Sequence, residues 1–145
     1  MKKMIMAIGL LLSMSFAFAN DEIVNPKVLD AFKNEFSTAK EVIWTAGTNY
    51  YKAAFTFNGN HVFAFYNMDG DLLGLTRYIS STDLPIGLQK ELKSDYSDFW
   101  ITDLFEVANN NGTSYYITVE NAESKIVLKS IDGKKWETFK KINKA

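Results

Sequence analysis

Residues Tyr50 to Gly70 read YYKAAFTFNGNHVFAFYNMDG. Side chains of different character alternate from Tyr51 to Asn58 and again from His61 to Met68. A period of two is the signature of a strand with two unlike faces. Asn58-Gly59 separates the two runs, and Asp69-Gly70 ends the second. Both dipeptides tolerate the positive φ that tight hairpin turns demand. The stretch predicts two antiparallel strands within a meander. Alternation points Tyr51, Ala53, Phe55 and Phe57 inward and Lys52, Ala54, Thr56 and Asn58 outward. In the next strand Phe63 and Phe65 are expected inside, with Val62, Ala64 and Tyr66 on the opposite face.

Moving outward, the same pattern returns. Ser124 to Gly133 reads SKIVLKSIDG, another alternating run that ends in Asp-Gly. Tyr50-Tyr51 is matched by Tyr115-Tyr116, and Asn25-Pro26 by Leu84-Pro85. Landmarks matched in order predict an internal duplication. Each half opens on a helical pattern. Asn25 is placed to cap the first helix with Pro26 at its first position. Val28, Leu29, Phe32 and Phe36 form one apolar stripe. In the second half Pro85 is expected near the first helical position, and Leu84, Leu88, Leu92 and Tyr96 repeat every four residues.

Strands are expected over Glu41 to Ala46, Tyr50 to Asn58, His61 to Met68 and Leu72 to Ser80. A second set is expected over Trp100 to Ala108, Ser114 to Glu120, Lys125 to Ile131 and Lys135 to Lys140. Hairpin-linked strands pair antiparallel. The expected class is α+β: two tandem repeats, each one helix followed by a four-stranded antiparallel meander, with the helices on one face of the sheet. One domain over 20–145 would then hold half-repeats at 25–80 and 84–143.

The first nineteen residues, Met1 to Ala19, read as a secretory leader. Lys2 and Lys3 supply a positive start, Ile5 to Leu12 an apolar run, and Ala17-Phe18-Ala19 a small-x-small cleavage pattern. Cleavage is expected between Ala19 and Asn20. No cysteine follows, so no lipid anchor is expected, and the chain reads as a soluble periplasmic or secreted protein. With no cysteine at all, folding must rest on core burial. The composition, 47% hydrophobic and 14% aromatic, fits a packed globule. A net charge of -1 provides no footprint for nucleic acid.

The chemistry available is thin. Thiol catalysis is excluded, and a Ser-His-Asp arrangement would have to use the single histidine, His61. His61 reads as a hairpin residue. Asn67-Met-Asp69-Gly-Asp71 lacks the ligand spacing of a calcium loop and reads as a turn. Asp95, Asp98 and Asp103 form an acidic group read as solvated. Asn111-Gly-Thr113 matches a glycosylation sequon but reads as part of a turn. No metal or cofactor is expected, and no catalytic residue.

Several stretches carry a resemblance. They are Ala31-Phe32-Lys33-Asn34-Glu35-Phe36, Val42-Ile43-Trp44, Tyr51-x-Ala53-x-Phe55, Phe65-x-Asn67-x-Asp69-Gly70-Asp71-Leu72-Leu73 and Leu84-Pro85. In this order they resemble the PepSY-like family described as β-lactamase-inhibitor-protein-like, whose members are small exported bacterial proteins. The resemblance spans nearly all of the chain after the leader. It implies a helix-plus-sheet repeat whose exposed sheet face could grip another protein. Inhibition of a β-lactamase is not implied, because the namesake inhibitor uses disulfides and this chain has none.

The expected function is therefore a non-enzymatic binding module, an inhibitor or modulator of an envelope or secreted protein. The expected contacts are Lys52, Thr56, Tyr66 and Arg77, with Tyr116, Thr118 and Lys129 in the second half. Aromatic anchors would bury on the partner while basic groups orient it. The alternative is a small-ligand or cation-binding periplasmic protein, which would need a concave site holding His61 or several aspartates.

Overall fold

The computed structural model describes residues 23–144; the leader and its cleavage site lie outside them. The elements run α1 (Pro26–Glu35), β1 (Lys40–Ala46), β2 (Tyr51–Phe57), β3 (Asn60–Tyr66), β4 (Leu72–Tyr78), α2 (Ile86–Asp95), β5 (Trp100–Asn109), β6 (Gly112–Glu120), β7 (Ser124–Ser130) and β8 (Glu137–Asn143). A short 3-10 turn, Ser81–Asp83, precedes α2.

The expectation of two tandem helix-plus-meander repeats is overturned. All eight strands lie in one antiparallel sheet in the order β1 to β8, with two α-helices among the described residues. The reason lies at β4. A strand edge left bare presents unpaired N–H and C=O groups. The repeat reading ended its first meander there, but β5 takes up that edge. The Ile79 N–H, just past β4, donates to the Leu104 carbonyl on β5 at 3.2 Å. Alternation along a strand reports its two faces and says nothing about what pairs with its far edge.

The chain divides into two compact units, one ending at Leu75 and the other beginning at Thr76. In the first, the Asn25 side chain accepts the Lys27 N–H at 3.0 Å, and Pro26 occupies the first turn, as the cap reading expects. The helix ends where the Phe36 N–H meets the Phe32 carbonyl at 2.8 Å. Its buried stripe, Val28, Phe32 and Phe36, closes over Trp44, Ala53, Phe55, Ala64 and Tyr66. Phe32 lies edge-on to both Trp44 and Phe55, with centroids 5.2 and 5.0 Å away. Each such pair adds about 0.5–1.5 kcal/mol beyond burial.

Here the facing of β3 differs from expectation. Ala64 and Tyr66 are fully buried in the helix-side core, and Phe63 and Phe65 face away from it. Asn58 and Gly59 form the turn with φ of 50° and 80°, which sets Phe57 opposite Asn60. Directly opposed residues share a face. Phe55 therefore sits over Val62, Ala53 over Ala64 and Tyr51 over Tyr66. A phase error of one residue swaps every side chain on a strand, and the bulk of Phe63 and Phe65 misplaced the phase.

In the second unit Pro85 is the N-cap of α2 and not its first helical residue. Leu84 and Leu88 pack on Leu104, Ile117, Val119, Ile126, Leu128 and Trp136. The Trp136 indole N–H donates to the Leu88 carbonyl at 3.2 Å, and its backbone N–H to the Glu91 carboxylate at 2.7 Å. These two bonds tie the segment before β8 to the helix.

Candidate functional site

Register assembles the site in the second unit. The Leu104–Ile117–Leu128 row faces α2, so the neighbouring rows face away. Three cross-strand rows build this bare face. Phe105, Tyr116, Lys129 and Glu137 form the first. Asp103, Thr118, Val127 and Lys140 form the second. Trp100, Glu120, Lys125 and Ile142 form the third. A bulge on β5 between Ile101 and Asp103 keeps Trp100 on this side. A second bulge, opposite Val127 and Leu128, inserts Phe139 beside the first row.

Four rings run across the strands of this face. Tyr78 meets Phe105 edge-on at 6.4 Å, and Phe105 stacks on Tyr116 at 5.3 Å and 8°. Phe139 closes on Tyr116 edge-on at 5.9 Å. The Lys129 ammonium sits 5.4 Å from the Tyr116 centroid, a favourable placement over the ring's negative face. Tyr116 is thereby only 2% exposed, although among the described residues no helix packs on this face. The outer rings stay open: Tyr78 is 66% exposed, Trp100 52% and Phe139 36%. Lys144 lies 5.3 Å from the Trp100 ring and pairs with Glu120 at 3.2 Å.

Electrostatics on this face are mixed. Desolvation raises the Asp103 carboxyl above its ordinary value, against the Leu104 N–H and Lys125, which lower it. The Tyr78 hydroxyl is raised by desolvation and then by Asp103. Hydrogen bonds with Thr102 and then Lys144 hold the Glu120 carboxyl below its ordinary value.

The seven expected contacts scatter. Tyr116, Thr118 and Lys129 come together on the bare face of the second unit. Lys52 and Thr56 stand on the bare face of the first unit, where the Lys52 ammonium lies 5.5 Å from the Phe63 ring. Tyr66 is fully buried on the helix side. Arg77 pairs with Glu106, whose cross-strand neighbour Tyr115 packs on the helix-side core. Sequence reasoning passed over Phe105, Phe139, Tyr78, Trp100 and Ile142. Phe105 was legible, since it lies opposite Tyr116 once the Asn109–Gly112 hairpin sets the register. Phe139 was not, because a bulge breaks the alternation there.

For ion binding, no three His, Asp or Glu side chains gather among the described residues. His61 is exposed on the first hairpin, edge-on to Phe63 at 5.0 Å. Asp69 and Asp71 belong to a turn in which the Asn67 side chain accepts both their backbone N–H groups at 2.9 Å. On the helix side of the second unit lies a cavity of about 460 Å³, bordered by Gln89, Leu92, Tyr96, Phe99 and Ile101. The Gln89 amide donates to the Leu84 and Thr82 carbonyls.

A one-sheet fold with an unroofed aromatic face places the chain among small α+β sheet proteins. It is similar in fold to several solved structures. A BLIP-like protein from Bacteroides fragilis superposes with a TM-score of 0.72 at 20% identity, over 84% of this chain and 89% of that one. A presumed periplasmic protein from Bacteroides eggerthii gives 0.71 at 18%, over 83% and 88%. A DUF2874 family protein from Bacteroides uniformis gives 0.71 at 18%, over 83% and 89%. No family model and no curated protein matches the chain. The likeness is one of fold. It supports the β-lactamase-inhibitor-protein-like part of the sequence resemblance, and the PepSY-like designation has no matching family model.

Proposed function

We propose that this protein is a non-enzymatic module that binds another envelope or secreted protein through the bare sheet face of its second unit. The observation that carries this is the aromatic row Tyr78–Phe105–Tyr116–Phe139, packed at its centre and open at its ends. Clustered aromatics on a rigid sheet can bury on a partner with little loss of side-chain freedom. Phe105 and Tyr116 are already ordered by stacking. The fold shared with a BLIP-like protein supports the same reading. The leader places the partner outside the cytoplasm, and among the described residues no helix is long and apolar enough to cross a membrane.

A photo-crosslinking residue at position 78 or 139 tests the proposal in intact cells. One discrete partner should be captured, and Phe105→Ala should weaken its binding by at least about tenfold, the scale of an interface hot spot. Capture no greater than from position 93, on the helix side, would sink the proposal.

The helix-side cavity favours a second reading, a small apolar ligand held between α2 and Ile101. A thermal-shift screen of metabolites tests it, since a ligand selective for the folded state raises Tm. A shift that survives Leu92→Trp, which fills the cavity, would count against this site.

A further inference from the structure

We infer that the surface this module grips is an acidic segment of a protein, docked over the lysines of β7 and β8. This rests on the binding-module reading and adds the partner's chemistry. Residues 124–144 hold Lys125, Lys129, Lys134, Lys135, Lys140, Lys141 and Lys144 against only Asp132 and Glu137. The whole chain carries a net charge of -1, so this last stretch is basic against the rest; Lys125, Lys129 and Lys140 stand on the bare face, Lys134 and Lys135 lie between β7 and β8, and Lys141 shares the helix side with Ile126.

Register makes that concentration directional. Lys125 and Lys129 flank Val127 on β7, and Lys140 lies opposite Val127 on β8. Three lysines therefore neighbour one apolar residue on the bare face. Beside them stand Phe139 and Ile142, 36% and 44% exposed. Edge strands commonly carry lysine to prevent stray pairing. That accounts for lysines on β8, which is the sheet's edge. It does not account for Lys125 and Lys129, because β7 is an inner strand with both edges paired.

The choice of a protein over a uniform polyanion follows from the carboxylates in the same rows. Glu120 lies directly across from Lys125, Glu137 across from Lys129, and Asp103 stands in the row of Lys140. A continuous anionic surface would meet these carboxylates and be repelled. A protein segment with discrete Asp or Glu side chains can match the lysines and avoid them. Such pairing steers encounter and fixes register.

The test is selection from a random dodecapeptide library on the immobilised protein at low salt. Peptides enriched in Asp or Glu together with aromatic or aliphatic residues are expected. Their binding should fall at least tenfold at about 0.3 M salt, where exposed charges are screened. It should fall as far in Lys125→Glu/Lys140→Glu, with circular dichroism confirming the fold, and Lys129→Gln is the milder control. Enrichment without acidic bias, or equal binding by the variant, overturns the inference. So does equal binding to equimolar phosphatidylglycerol–phosphatidylcholine vesicles, which would mark a membrane surface. Salt-sensitive self-association in sedimentation would assign the strip to a second copy and overturn it too. If position 78 crosslinks a partner whose binding the lysine variants do not alter, only the acidic assignment falls. If position 78 captures nothing, the binding-module reading itself falls.

Discussion

At the scale of single residues, one buried and one half-buried polar group set the terms. The Tyr66 hydroxyl is buried without a hydrogen-bond partner, and burial, then Glu35, raises its pKa. An unpaired buried hydroxyl costs about 1–3 kcal/mol. Tyr66→Phe should therefore leave stability unchanged or raise it by about 1 kcal/mol in urea denaturation; a clear loss would show that the hydroxyl is paired in solution. Asp103 is the titratable counterpart. Its carboxyl is raised by desolvation, so the folded state holds the proton more tightly than the unfolded one. The charged form is a penalty on folding, complete above the raised value and absent below the ordinary carboxylate range. Asp103→Asn should stabilise the protein near pH 7, with the gain fading as pH falls through that window. A gain that grew in acid would contradict the sign.

At the scale of elements, turns act as anchors as well as connectors. Gly70 ends the β3–β4 turn at φ 88°, and a Cβ there would lie 2.9 Å from the Lys27 carbonyl on α1. The same turn presents the Met68 carbonyl to the Asn25 side-chain N–H at 3.2 Å. One loop thus holds the capped start of the helix against its sheet. Gly70→Ala meets both backbone strain and a clash, and should cost about 2 kcal/mol or more. Chemical denaturation reads that loss; a cost under about 0.5 kcal/mol would mean that the helix start shifts freely. The Asn25 cap and the hairpin turns at Asn58-Gly59 and Asp69-Gly70 were legible, because each depends on the φ/ψ preference of a few adjacent residues; the last strand, expected over Lys135 to Lys140, runs Glu137–Asn143. Phe139 was not, since its bulge exists only in the pairing of β8 with β7.

At the scale of the molecule, export and recognition are linked. The leader expected over Met1 to Ala19 would send the chain to the compartment in which the proposed partner is met. Cell fractionation should find it outside the cytoplasm, with an N-terminus at Asn20 by sequencing. An intact Met1 on the folded protein would remove the export reading and the envelope partner with it. On the bare face of the second unit, Lys144 pairs with Glu120 and Lys129 lies over the Tyr116 ring.

The sequence alone determined the parts: two helical stripes, the first capped by Asn25, eight strand runs, and turns at Asn58-Gly59 and Asp69-Gly70. These follow from local backbone preference, which neighbours in the chain decide. The tertiary structure decided how the parts join and which way they face. It made one sheet where two meanders were expected, put Tyr66 in the core and turned Phe63 outward. It also brought the rings of Phe105, Tyr116 and Phe139 together. Strand partners, register and bulges are fixed by hydrogen bonds between distant segments, and a period of two reads the same whichever face is buried.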